Sequence, residues 1–198
     1  LRAVQQTANG FVGTKTSGDG ALRKTGAEYF QFRPGSTLSG HIYIDAGELR
    51  YAINDTIGTG VTYLANSTIL SWLSSAITVR RPLQINGNVT LGRDANGSLT
   101  FTNWVNLGGA TRTITVVRTN TISGGITNGG LEKAGSTGGG VLILSGANTY
   151  TLGTLVSAGT LQIGAGSTAG SVAGNMTNNA LVIFNRSDAL THEGFIAG

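Results

Sequence analysis

From Val141 onward, apolar positions return in short runs at a nearly constant distance. The runs are Val141-Leu142-Ile143-Leu144, Thr160-Leu161-Gln162-Ile163 and Leu181-Val182-Ile183-Phe184. Leu142, Leu161 and Leu181 are separated by 19 and 20 residues, and Leu144, Ile163 and Ile183 repeat both steps. Within each run the two positions lie two residues apart, which in a strand places them on one face. A strand returning about every 20 residues with the same face inward predicts a parallel solenoid. The spacing predicts one interior column of Leu142, Leu161 and Leu181 and a second of Leu144, Ile163 and Ile183. Ile122, 20 residues before Leu142, extends the series.

The same alternation runs upstream. Ile77-Thr78-Val79, Leu83-Gln84-Ile85, Val89-Thr90-Leu91, Leu99-Thr100-Phe101 and Ile114-Thr115-Val116 read as half-buried strands, punctuated by Asn86-Gly87-Asn88 and Asn96-Gly97. Pro82 fits a corner or the start of a strand. Earlier, His41-Ile42-Tyr43-Ile44-Asp45 and Glu48-Leu49-Arg50-Tyr51 alternate, and Phe11-Val12 and Val61 to Tyr63 suggest short strands. One stretch departs from the pattern. Ile69, Trp72, Leu73 and Ala76 fall at helical spacing behind Asn66 or Ser67 as an N-cap, predicting a short helical insert near 66–76. The competing expectation there is a strand whose Trp72 covers a corner.

The chain has 198 residues, enough for a single domain with a real core, and the pattern shows no domain boundary. A longer echo divides it into two degenerate units, about 21–129 and 130–198. Ala21-Leu22-Arg23-Lys24-Thr25-Gly26 is matched by Gly130-Leu131-Glu132-Lys133-Ala134-Gly135. Glu48-Leu49-Arg50-Tyr51 follows the first word as Thr160-Leu161-Gln162-Ile163 follows the second. Gly contributes 32 residues and Pro only 2, which fits tight turns between short strands better than disorder. Net charge is +4, and no basic run exceeds Arg80-Arg81, so nothing points to nucleic acid. Cysteine is absent, which excludes disulfides, thiolate metal sites and a cysteine nucleophile. No apolar stretch is long enough for a membrane-spanning helix.

The candidate chemistry is thin. Polysaccharide lyases and hydrolases built on β-helices need carboxylates converging on one face, with or without Arg or Lys. Asp19, Glu28, Asp45, Glu48, Asp55, Asp94, Glu132, Asp188 and Glu193 are scattered, mostly beside turn residues. Asp45 and Glu48 bracket Ala46-Gly47 and read as solvated acids at a turn. His41 and His192 stand alone, without the partners of a triad. No metal-ligand spacing or phosphate loop occurs, so no catalytic, metal or cofactor residue is assigned. Arg80, Arg81, Arg93, Arg112 and Arg118 would form a basic stripe for an acidic surface polysaccharide if coils stacked them on one side. Solvated arginines on different faces are the plainer expectation.

From Val105 onward the chain resembles the autotransporter-associated β-strand repeat, also called the passenger-associated transport repeat. The words are Val105-Asn106-Leu107-Gly108-Gly109-Ala110-Thr111-Arg112-Thr113-Ile114-Thr115-Val116, Leu131-Glu132-Lys133-Ala134-Gly135, Leu142-Ile143-Leu144-Ser145-Gly146-Ala147-Asn148-Thr149-Tyr150-Thr151 and Val156-Ser157-Ala158-Gly159-Thr160-Leu161. The resemblance covers residues 76–198 well and 21–51 in degraded form. It implies an all-β, right-handed parallel β-helix in an exported, extracellular or cell-surface bacterial protein. It brings no shared catalytic residues.

The expected architecture is therefore one β-helix of about eight to ten coils, a rod of roughly 40–50 Å at about 4.8 Å per coil. The expected role is structural, a stalk or fibre module, with a carbohydrate-binding adhesin as the alternative and a polysaccharide-degrading enzyme as a weaker one. The expected partners are adjacent repeats or further copies. The word Thr191-His192-Glu193-Gly194-Phe195-Ile196-Ala197-Gly198 leads naturally into a pattern such as Gly18-Asp19-Gly20-Ala21-Leu22-Arg23-Lys24. Head-to-tail β-strand pairing would join the two.

Overall fold

Short alternating runs separated by Gly and Asn turns can bury one face only by stacking on the run one coil away. The computed structural model shows that outcome. It describes residues 2–5, 11–12, 16–32, 35–51, 58–66, 68–71, 76–93, 97–135 and 139–198. The chain is an all-β parallel solenoid of about eight turns. Among the described residues, every strand pairing is parallel, as expected when each strand meets its counterpart one coil on.

Three sheets form the faces. The first has seven strands, from Arg2–Gln5 and Leu22–Thr25 through Ile42–Ile44 and Thr62–Leu64 to Ile126–Thr127. The second has ten, including Tyr29–Gln31, Glu48–Arg50, Thr68–Ser71, Val89–Leu91, Gly130–Gly135 and Thr154–Val156. The third has six, from Ile77–Val79 to Val141–Leu144, Thr160–Ser167 and Leu181–Arg186. A two-stranded pair, Ser17–Gly18 with Thr37–Leu38, stands apart from these three.

The core is a set of axial columns. On the first sheet, Leu22 meets Ile42, then Thr62, Leu83, Val105 and Ile126. On the third, Phe101 meets Ile122, then Leu144 and Ile163. These apolar members are buried, because the outward residues alternate with them along each short strand.

Two expectations need correction. Among the described residues of 66–76 there is no helix: Thr68–Ser71 is a strand, paired with Glu48–Arg50 on one side and Val89–Leu91 on the other. Ladder pairing on both edges outweighs the weak local helical spacing. Trp72 and Leu73 lie outside the described residues. The predicted columns also fail at their last member. Leu142 and Leu144 pair with Leu161 and Ile163 as expected. Leu161 and Ile163 then meet Val182 and Phe184, whereas Leu181 and Ile183 meet Thr160 and Gln162 and face outward. This coil takes one residue more than the 20-residue spacing implied, and a one-residue slip exchanges the faces of a strand. Ile122 likewise pairs with Leu144, while Leu142 pairs with the buried Asn120.

Candidate functional site

Polar side chains enter the solenoid at its corners, where the chain leaves one sheet and the ladder cannot satisfy every carbonyl. In both echo words alternation puts a lysine on the core face, two residues after the leucine. Lys24 follows Leu22 and donates to the carbonyls of Gly26 and Ala46, each at 2.8 Å. Lys133 follows Leu131 and donates to Gly140 at 2.6 Å and Ala158 at 2.8 Å. Both lysines are fully buried. In each case the acceptor Ala precedes a glycine at positive φ, Gly47 at 76° and Gly159 at 73°. A Cβ on Gly47 would stand 2.6 Å from Lys24 Nζ, and one on Gly159 would strike Lys133 Nζ. The Ala-Gly step is thus the seat of the ammonium. Burial lowers the pKa of Lys24 and pushes that of Lys133 down to about 8.

The two corners are alike but lie on different edges of the rod. Lys24 leaves the first sheet and Lys133 the second. Five coils on from Leu22 along its own face stands Ile126, and the similar Leu131 falls on the next face.

Asparagine closes other corners. Asn148, in the Ser-Gly-Ala-Asn-Thr-Tyr-Thr word, accepts from Ile126 N at 2.8 Å and donates to the Gly146 and Ser171 carbonyls. Its amide replaces the ladder where the first sheet has no further strand and only an isolated bridge, Ala147 to Ser171, remains. Tyr150 turns inward two residues later, and its hydroxyl lies 2.7 Å from Thr154 Oγ1. Burial raises its pKa to about 12. Asn120 acts similarly, accepting from Leu99 N and donating to the Leu91 and Arg118 carbonyls. These bonds give the repeat words a physical reason.

On the outside, the edge between the first and second sheets carries a cleft of about 450 Å³. Its floor is the small residues Gly26, Ala27, Ala46 and Gly47, and its walls are Glu28, Tyr29, Glu48, Arg50 and Arg93. Glu48 is not the solvated acid expected, since its side chain is only 7% exposed. Arg50 grips it in a fork, Nε to Oε1 at 2.9 Å and Nη2 to Oε2 at 3.2 Å, while Arg93 Nη2 reaches Oε2 at 2.5 Å. The Arg50 guanidinium also lies 3.6 Å from the centre of the Tyr29 ring. The sequence signal was the outward alternation of Tyr29, Glu48 and Arg50 around Phe30 and Leu49. Arg93 could not be read from it, being two strands away.

Glu28 lines the same cleft, whereas Asp45, His41 and His192 do not converge with Glu48; Asp55 and Asp94 lie outside the described residues. Asp45 lies on the other side of Gly47 and pairs with Arg23 at 2.6 Å on the surface. His41 accepts from Val61 N at 3.1 Å and sits edge-on to Tyr43 and Tyr63, whose rings stack at 4.8 Å. His192 is on the last coil. The basic stripe does not form. Arg81 turns inward and donates to the Leu38 and Gly40 carbonyls. Arg93 pairs with Glu48, and Arg112 Nε donates to Leu107 O. Among the described residues no group of three His, Asp or Glu side chains is placed to hold a metal, and no helix is long and apolar enough to cross a membrane.

The fold and its polar-closed corners define a repetitive parallel β-solenoid. Residues 137–163, spanning the Lys133 acceptor Gly140, Asn148 and the Gly159 corner, match the family model described as Passenger-associated-transport-repeat. The adhesin BmaC autotransporter of Brucella suis biovar 1 (strain 1330) is 49% identical over 49 residues, 25% of this chain and 1% of that protein. No solved structure matches. Together with the solenoid, these similarities fit an autotransporter-associated β-helical segment and indicate an extracellular or cell-surface protein.

Proposed function

We propose that this segment is a structural stalk or fibre module of an exported bacterial surface protein, continued end to end through β-strand pairing. The observation that carries this reading is the ladder itself: among the described residues every strand pairs in parallel with its counterpart one coil away, so each coil is built to stack on another like it. The stacking partner would be an adjacent repeat or a further copy of the segment. The shared lysine corner supports two degenerate units, 21–129 and 130–198, as the building plan. Neither catalysis nor a cofactor belongs to this proposal.

A second reading, a surface adhesin, is favoured by the description of the Brucella relative. The chain spans only 1% of that protein, so attachment by this segment is part of the proposal. Light scattering and negative-stain microscopy of the isolated segment test non-covalent stacking. Concentration-dependent filaments support it, and a monodisperse monomer at high concentration rules it out, leaving continuation within one chain.

A further inference from the structure

The Glu48 cleft has more positive charge than its single salt-bridge cluster needs. Arg50 is spent on Glu48, by a fork and by stacking on Tyr29. Arg93 touches the same carboxylate through one nitrogen, and its side chain is 52% exposed. Lys24 adds a buried ammonium under the floor, bonded to the Gly26 and Ala46 carbonyls that line the cleft. Among the described residues lining the cleft, Arg50 and Arg93 balance Glu48 and Glu28, and the Lys24 ammonium beneath the floor adds one further positive charge. The floor carries nothing larger than Ala between these walls, leaving about 450 Å³, room for one or two sugar rings.

We infer that this cleft binds an acidic saccharide through a uronate carboxylate held by the outer edge of Arg93, with Glu28 accepting hydrogen bonds from ring hydroxyls. The ligand class follows from the mixture of signs. A guanidinium with donors facing solvent matches a carboxylate in planar geometry. A carboxylate wall a few residues away suits a ligand that also carries hydroxyl donors. A dianionic phosphate would meet Glu28 and Glu48 with two charges against one surplus cation, a poorer match, and a sulfate ester, singly charged like a carboxylate, lacks the planar pair of oxygens that the guanidinium edge fits. A neutral sugar would leave Arg93 unused. This goes beyond the stalk reading, because it gives the side of the rod a ligand whether or not its ends stack.

Titration calorimetry on the intact segment with trigalacturonate, a neutral galactose trimer and a sulfated galactose oligomer tests the inference. Trigalacturonate should bind, with at least ten-fold preference over the other two. Arg93→Gln should weaken it ten-fold or more, with Arg93→Lys intermediate because the planar fork is lost. Ala27→Trp, at an exposed position on the floor, should block binding by filling the cleft. Circular dichroism melts of the variants establish that they fold. Absence of trigalacturonate binding at millimolar concentration would overturn the inference. So would equal affinity for the neutral or sulfated oligomer, or unchanged affinity in folded Arg93→Gln or Ala27→Trp.

Discussion

Lys133 donates a hydrogen bond to the carbonyl of Ala158, 2.8 Å away on the next coil, and the glycine that follows leaves the space its ammonium occupies. A charged group is thereby used as a brace between coils. The same device recurs at Lys24 and Ala46.

Removing the brace should cost more than one ordinary hydrogen bond. Lys133→Met keeps the apolar stem but leaves the Gly140 and Ala158 carbonyls without their donor. The expected loss is about 2–4 kcal/mol, from about 1–2 kcal/mol per buried group left unpaired. Urea unfolding checks it, and an unchanged midpoint would show that water replaces the ammonium.

Stability should depend on alkaline pH in a defined direction. Lys133 releases its proton near pH 8 in the fold, and in the unfolded chain only near 10.5. Between these values the unfolded chain binds more protons, so stability should rise with pH. Lys24, also lowered, acts in the same sense. Tyr150 opposes them above about pH 10, because its folded pKa is about 12 and the unfolded chain loses the proton first. Denaturant midpoints from pH 7 to 10 should climb in the wild type and climb less in Lys133→Met. Parallel profiles would refute the assignment to Lys133.

The corrected register makes a paired prediction. Val182→Asp places a carboxylate against the core opposite Leu161, while Ile183→Asp points outward opposite Gln162. The first should destabilise by about 2 kcal/mol or more and the second by under about 1 kcal/mol. Leu161→Asp, buried between two coils, should unfold the C-terminal half. Thermal melts followed by circular dichroism decide, and a reversed order for Val182 and Ile183 would restore the simple 20-residue column.

Asn148→Ala should lower the melting temperature more than a surface change such as Thr177→Ala. It removes one acceptor and two donors, stranding Ile126 N and the Gly146 and Ser171 carbonyls. The expected cost is about 2–4 kcal/mol by the same reasoning. A neutral result would mean that the corner rearranges to pair those groups itself.

Much of this architecture was legible from local pattern. Alternation around Leu142, Leu144, Leu161 and Ile163 assigned inward and outward faces correctly, and the 19-residue step between them matches the observed pairing. Lys24 and Lys133 were legible in principle, since each stands two residues beyond an inward leucine. Their charge made them look like surface positions. Glu48 was misread as solvated because its second arginine partner, Arg93, lies 45 residues away.

Turn positions, and the inward face of strands that alternate apolar with polar residues, were determined by the sequence, because each follows from the stereochemistry of a few consecutive residues; the run Leu181-Val182-Ile183-Phe184, apolar throughout, left its face open. Only the tertiary structure decided how many residues each corner consumes. That number depends on how the chain settles on the coil beneath it, and it set Val182 rather than Leu181 beside Leu161. The same closure chose which polar groups turn inward. Lys133, Asn148 and Arg81 are drawn in by carbonyls that the stacked coils leave unpaired, and no single coil contains both partners of the Lys133–Ala158, Asn148–Ser171 and Arg81–Leu38 bonds.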